Sequence, residues 1–314
     1  MKLLIAYDGS KCAEAAIDDL ARAGLPEKGS ATVVSVAEVW LPPKDSVEAD
    51  ADGSSANLEE LVRAWRDSAN KSIAEAAMLA RHAERRVARA LPNWEVRSEA
   101  LHGSPAWEIL DAARNCGADL IVVGSQGHSA LGHLVLGSIS QKVLAEAPCS
   151  VRVARGRIDV DPAPERIVIG FDASRGAAGA VTAAAGRNWS RGAAVRLIAV
   201  TEPVVPKAIG RFVAPSVNAS AVSSASWLER AAETALRELR GAGIESELML
   251  RAGNPKHVLV DEAERWGADA IFLGATRYGS SLERLILGGT AAAVAARARC
   301  TVEVVRIAAS GSAR

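Results

Sequence analysis

The residues best suited to chemistry lie between Gly124 and Ser140, which read Gly124-Ser125-Gln-Gly127-His128-Ser-Ala-Leu-Gly-His133-Leu-Val-Leu-Gly137-Ser138-Ile139-Ser140. Gly124 and Gly127 let backbone N–H groups approach an anion without side-chain interference. Gly137-Ser138 opens a helix whose first N–H groups lack intrahelical partners and carry partial positive charge, which favours phosphate. Ser138 and Ser140 add hydroxyl donors; Ser125, His128 and Ile139 complete the candidate contacts. His128 and His133 are open to two readings, as sensors of phosphate charge or as solvated loop residues. The spacing is G-x2-G-x9-G-S. Standing after an apolar strand and before a helix, it reads as a phosphate cradle rather than as turn chemistry alone. No Walker lysine, nucleophile elbow or nearby carboxylate pair accompanies it, so no catalytic residue is assigned.

Positioning such a loop requires an alternation of strands and helices, and the hydrophobic periodicity supplies one. Strands are predicted over 3–7, 31–37, 95–101, 119–123 and 150–154. Helices are predicted over 10–24, with Ser10 as N-cap and Gly24 as C-cap, over 58–91, over 105–115 with Ser104 as cap, and over 138–146. A long loop is expected over 42–57. Trp107 and Trp266 fall on apolar helical positions and read as core; Arg81, Arg85, Arg86 and Arg89 read as a solvated basic stripe.

The same pattern occurs twice. Lys2-Leu-Leu-Ile-Ala-Tyr-Asp8-Gly-Ser10 returns as Arg166-Ile-Val-Ile-Gly-Phe-Asp172-Ala-Ser174, and Gly103-Ser-Pro105 through Gly117-Ala-Asp119 to Gly124 returns as Gly253-Asn-Pro255 through Gly267-Ala-Asp269 to Gly274. The shift is 164 residues at the first pair and 150 at the second, so copy one holds 14 more residues in its middle. The predicted domains are 1–155 and 165–308, joined by a polar, Pro-bearing connector, with a looser loop over 203–224 in copy two. Beta-alpha alternation implies an α/β fold with a mostly parallel sheet and helices on both faces. In such sheets ligands bind outside the carboxyl ends of the strands, where Asp8 and Val36 join the loop. Asp8 and Asp172 are open to two readings, as ligand contacts or as caps bonded to nearby N–H groups.

Bulk properties limit the alternatives. The chain has 314 residues, enough for two domains, and Lys plus Arg equals Asp plus Glu at 37 each, which offers no overall field for nucleic acid or an anionic membrane. No apolar run is long enough to span a bilayer and no signal-peptide core precedes Asp8, so a cytoplasmic location is expected. Cys12, Cys116, Cys149 and Cys300 stand singly, which argues against zinc and against a disulfide framework; no metal ligand is assigned.

With strand-one Asp8-Gly9-Ser10, Gly117-Ala118-Asp119 and the G-x2-G-x9-G-S loop, the sequence resembles the universal stress protein family in its tandem, two-domain form. The resemblance implies two Rossmann-like domains of the adenine nucleotide alpha hydrolase-like type, each with a five-stranded parallel sheet in the order 3-2-1-4-5. It further implies ATP, or ADP or AMP, with Mg as a companion ion. Asp8 would hold the ribose or adenine side, Val36 the adenine, and Gly127, Gly137, Ser138 and Ser140 the phosphates. Pairing of the two domains through their last strands is also implied, and a homodimer is compatible with it. Copy two departs from the motif. It reads Gly274-Ala-Thr-Arg277-Tyr-Gly279 to Gly288-Gly289-Thr290-Ala291, with one extra residue before the last glycines, Gly289 in place of the first serine and Ala291 in place of the second. A second site there would use Asp172, Gly274, Arg277, Gly279, Gly288, Gly289 and Thr290; otherwise the domain is architectural. The function implied is a nucleotide-responsive stress regulator, against the alternative of a slow ATP hydrolase or adenylate-processing enzyme.

Overall fold

The computed structural model describes residues 1–40, 55–127, 136–155, 163–201, 217–275 and 288–307. His128 and His133, Arg277 and Gly279, and most of the expected connector and of the two expected long loops therefore lie outside the described residues.

The first half runs β1 (Lys2–Ala6), α1 (Lys11–Asp19), β2 (Ser30–Ala37), α2 (Ser55–Ala90), β3 (Glu95–His102), α3 (Pro105–Cys116), β4 (Leu120–Gly124), α4 (Ser138–Glu146) and β5 (Ser150–Ala154). The second runs β6 (Arg166–Gly170), α5 (Arg175–Ala185), β7 (Ala194–Thr201), α6 (Val217–Gly241), β8 (Glu245–Ala252), α7 (Pro255–Trp266), β9 (Ala270–Gly274), α8 (Gly289–Arg297) and β10 (Thr301–Val305). Within each half every pairing is parallel, as the alternation of strands and helices led us to expect, and the order is 3-2-1-4-5, as the family resemblance implied. Strands β1, β4, β6 and β9 read as unbroken apolar runs because helices cover both of their faces.

Repeated sequence elements have repeated physical jobs. The hydroxyls of Ser10 and Ser174 accept from the N–H groups of Ala13 and Ala177 and cap α1 and α5. Gly117 and Gly267 end α3 and α7 in the left-handed conformation, with φ of 61° and 66°. Two residues on, the carboxylates of Asp119 and Asp269 accept from the backbone N–H groups of Lys2 and Arg166 at 2.7 and 2.8 Å, stitching the start of β4 to β1 and of β9 to β6. The Gly-Ala-Asp repeat is thus structural.

The halves meet where β5 pairs antiparallel with β10, making one ten-stranded sheet. Because side chains alternate across a strand, this seam has two different faces. Val151, Val153, Val302 and Val304 point to one side, where a single apolar cluster runs from Leu4 and Ile121 through to Val168 and Ile271, under α3, α4, α7 and α8. Arg152 and Glu303 point to the other, where the cores beneath α1–α2 and α5–α6 remain separate. There Arg152, 1% exposed, reaches Asp19 at 2.6 Å and Glu303 at 3.0 Å, and Arg187 pairs with the far oxygen of Glu303. Burial works against the Arg152 charge, but Asp19 and Glu303 outweigh it and hold its pKa above the ordinary arginine value. Trp189 packs over Gly24, leaving no room there for a side chain.

Each half also caps a helix of the other. Arg155, just past β5, donates to the carbonyls of Ala295 and Ala296 at the end of α8, at 2.8 and 3.0 Å. Arg306, just past β10, donates to Leu144 and Ala145 at the end of α4. Both place a cation on the negative end of a helix.

Several local expectations need correction. Trp107 is 47% exposed, with the Lys142 ammonium 3.9 Å above its ring, so it is a surface residue and not core. Helix α1 stops at Asp19 and continues as a 3₁₀ turn over Leu20–Arg22, so Gly24, although left-handed, does not cap it. Ser104 sits at the α3 N-cap without making the side-chain bond. Arg86 is not merely solvated: it pairs with Glu14 and Asp18 of α1. Helices α2 and α6 begin at Ser55 and Val217, inside the stretches expected to be loop.

Gly9 turns from β1 toward α1 with φ of 79°, and its counterpart Ala173 is held at φ 57°, where a Cβ costs about 1–2 kcal/mol. Ala173→Gly should therefore stabilise the protein by about 0.5–1 kcal/mol in urea unfolding, after the larger unfolded-state entropy of glycine is subtracted; an unchanged or lower midpoint would show that the position is not strained.

Candidate functional site

At the carboxyl end of β1, β2 and β4 lies a cleft of about 410 Å3 lined by Asp8, Val36, Gly124, Gly127, Gly137, Ser138, Ile139 and Ser140 among others. That volume lies in the range of small-molecule sites. Most of the sequence-predicted residues are thus brought together, and each is placed by an element already described. Asp8 leaves β1, and one of its carboxylate oxygens accepts from Ser10 N–H at 2.9 Å, turning the chain into α1. Val36 lies near the end of β2, with Val34, Ile109 and Val123 forming an apolar wall.

The loop ends are tied together by backbone and side chain. Gly137 N–H donates to the Ser125 carbonyl at 2.8 Å, and the Ser140 hydroxyl donates to the Gly124 carbonyl at 2.7 Å. This clasp seats the N-terminus of α4 at the cleft, with Ser138 exposed on its first turn. The N–H groups of that turn have no intrahelical partner, so the end of the cleft is positively polarised. A Cβ on Gly127 would lie 2.9 Å from Asp8 Oδ2, so a side chain there would displace the Asp8 carboxylate.

Two expected contacts have other roles. The Ser125 side chain is 7% exposed and its hydroxyl turns to Cys12 Sγ at 3.7 Å, away from the cleft. Gly124 borders the cleft, but its missing side chain makes room for α1: a Cβ would lie 2.8 Å from the Cys12 carbonyl carbon. The glycine serves helix-on-strand packing rather than access for an anion.

Residues not singled out from sequence also line the cleft, among them Tyr7, Glu38, Gln126 and Pro105. Tyr7 and Glu38 were within reach of sequence reasoning, since each flanks a strand end that carries a predicted contact. Tyr7 is nearly buried; its hydroxyl donates to Glu14, which also pairs with Arg86 of α2. Burial pushes the Tyr7 pKa up, with Arg86 opposing and Asp8 assisting, so the phenol keeps its proton at neutral pH.

In the second half the corresponding cleft is about 200 Å3, with Asp172, Gly274, Gly288, Gly289 and Thr290 on its lining. Its floor differs chemically. Phe171 replaces Tyr7 and Ala178 replaces Glu14, so the hydroxyl–carboxylate–guanidinium chain is absent. Ala291, 3% exposed, stands where Ser140 ties the loop in the first half. Gly176 replaces Cys12, and α5 comes so close to β9 that a Cβ on Gly274 would lie 2.0 Å from the Gly176 carbonyl carbon. Beside the start of α8, Lys256 Nζ lies 3.7 Å from where a Gly289 Cβ would stand.

Elsewhere the chemistry is quiet. Burial pushes the thiols of Cys149 and Cys300 up to about 12, which keeps both protonated and unreactive. Among the described residues no helix is long and apolar enough to cross a membrane.

A model of the universal stress protein family matches this chain twice, over residues 1–155 and 164–306. A universal stress protein of Thermus aquaticus is 58% identical over 55 residues, which are 18% of this chain and 40% of that protein. The chain covers only 36–43% of the length of the four relatives that it matches at 39–58% identity. A universal stress protein of Mycobacterium tuberculosis is 27% identical over 213 residues, 67% of this chain and 69% of that one. The crystal structure of a universal stress protein from Archaeoglobus fulgidus has a TM-score of 0.62 at 20% identity, covering 97% of this chain and 98% of that one, which is a likeness of fold.

Overpacking a helix against a strand costs about 1–3 kcal/mol. Gly124→Ala and Gly274→Ala should both lower the unfolding midpoint, with the larger loss at Gly274, where the backbones approach more closely; equal stability of Gly274→Ala and the wild type would refute the packing role.

Proposed function

The chain belongs to the universal stress protein family, and we propose that its first domain binds an adenine nucleotide, ATP foremost, as a nucleotide-responsive regulator whose second domain is mainly structural. The observation that carries the reading is the pairing, within one cleft, of an apolar wall with the amino end of α4. A purine fits the first and a phosphate chain the second.

Asp8 would accept from ribose hydroxyls, and Val36 would lie against the base. Gly127, Gly137 and the first N–H groups of α4 would hold the phosphates, with the Ser138 hydroxyl as a further donor. Ser140 contributes through the clasp on Gly124, which fixes where α4 begins. A Mg ion would accompany the phosphates and offset their charge. Preformed donors of this kind bind and orient a nucleotide. Binding, with the bound state altering a partner surface, is therefore favoured over hydrolysis.

The smaller second cleft lacks the serine clasp and the tyrosine floor, which supports an architectural role for that domain.

Mass spectrometry of the supernatant from denatured, freshly purified protein should reveal an adenine nucleotide, and calorimetry should show ATP binding to the nucleotide-free protein. Gly127→Asp should abolish binding, because its side chain meets Asp8 and adds a second negative charge. Asp8→Ala should weaken it by about tenfold, the worth of a charge-assisted hydrogen bond, while Asp172→Ala should leave it unchanged. Absence of heat with wild-type protein, or binding that survives Gly127→Asp, would overturn the assignment.

A further inference from the structure

The seam between the halves is symmetric in backbone but not in charge. In the ladder Val153 faces Val302, Arg152 faces Glu303 and Val151 faces Val304. Aligning Ser150-Val-Arg-Val-Ala154 with Thr301-Val-Glu-Val-Val305 makes Arg152 and Glu303 equivalent positions, so the pseudo-twofold axis passes between them. A residue on such an axis faces its own equivalent. In a pairing of two identical edges that contact would be Arg against Arg, or Glu against Glu.

The neighbouring charges extend the pattern. Asp19, bonded to Arg152, is equivalent to Ala183, and Arg187, bonded to Glu303, is equivalent to Ala23. Across the seam the order is therefore Asp19, Arg152, Glu303, Arg187, alternating minus, plus, minus, plus, with Arg152 and Glu303 each 1% exposed. Two first domains joined this way would give minus, plus, plus, minus; two second domains would give plus, minus, minus, plus. Like charges directly opposite in an antiparallel pair are destabilising, and more so when buried.

The crossed helix caps do not discriminate in this way. Arg155 and Arg306 are equivalent to each other and cap equivalent helices, and Thr301 Oγ1 and Ser150 Oγ accept from the N–H groups of Arg155 and Arg306 at 3.2 and 3.1 Å. Any two such edges could make them. We infer that Arg152 and Glu303 are the specificity determinants of this edge: they direct β5 to β10 and bar it from β5 of a second copy of the chain. The partner surface is thereby reserved for the complementary half.

The inference stands apart from nucleotide binding and is tested on the full chain by amide hydrogen exchange. E303R, which sets Arg against Arg152, should raise exchange at Val151–Val153 and Val302–Val304 by about tenfold or more, leaving Leu3–Ile5 and Ile167–Ile169 at wild-type rates. E303Q removes the charge without reversing it and should raise exchange at those positions by clearly less. Unchanged exchange in E303R, or equal effects of E303R and E303Q, would overturn the inference. Should E303R fail to fold alone, its co-expression with R152E restores an Arg–Glu pair in both reciprocal pairings. Native mass spectrometry should then detect a one-to-one heterodimer, and failure to recover it would likewise overturn the inference.

Discussion

The architecture turns on the antiparallel pairing of β5 with β10. Helices cover the faces of a parallel sheet but leave its edges open, and an open edge of apolar strand recruits other chains. Here the two vulnerable edges satisfy each other, and the strands are short and buried because they lie at the middle of a ten-stranded sheet. Strand alternation then dictates what lies above and below. One face of the seam can be valine throughout, merging the cores of both halves, whereas the other face meets the ends of α1 and α5 and carries the four charges.

The two clefts show how one fold permits different chemistry at equivalent places. Both sit at the carboxyl ends of the same strands, with an aspartate leaving the first strand and a glycine ahead of the last helix. What separates them is a handful of exchanges, namely Tyr7 for Phe171, Cys12 for Gly176, Glu14 for Ala178 and Ser140 for Ala291. Only the first keeps polar groups both at the floor and at the loop clasp, and it is about twice as large.

Much of this was legible in the sequence because it rests on local rules. Periodicity, caps such as Ser10 and the helix starting at Pro105 placed most elements, and the strand order came from the family resemblance. Tertiary approach was not legible. Gly124 looks the same in sequence whether it admits an anion or a helix, and only the Cys12 carbonyl beside it decides. Trp107 occupies an apolar helical position yet faces water, because Lys142 covers its ring in place of the core. The single charges in the last strands, Arg152 and Glu303, gain meaning only when the register sets them face to face.

The crossed arginine caps carry a further consequence. Since Arg155 completes the last helix of the second half and Arg306 that of the first, neither half can melt without stripping a cap from its neighbour. The two halves are therefore thermodynamic hostages to one another. Each half remains indispensable to the other as long as it folds, so selection on either core guards both.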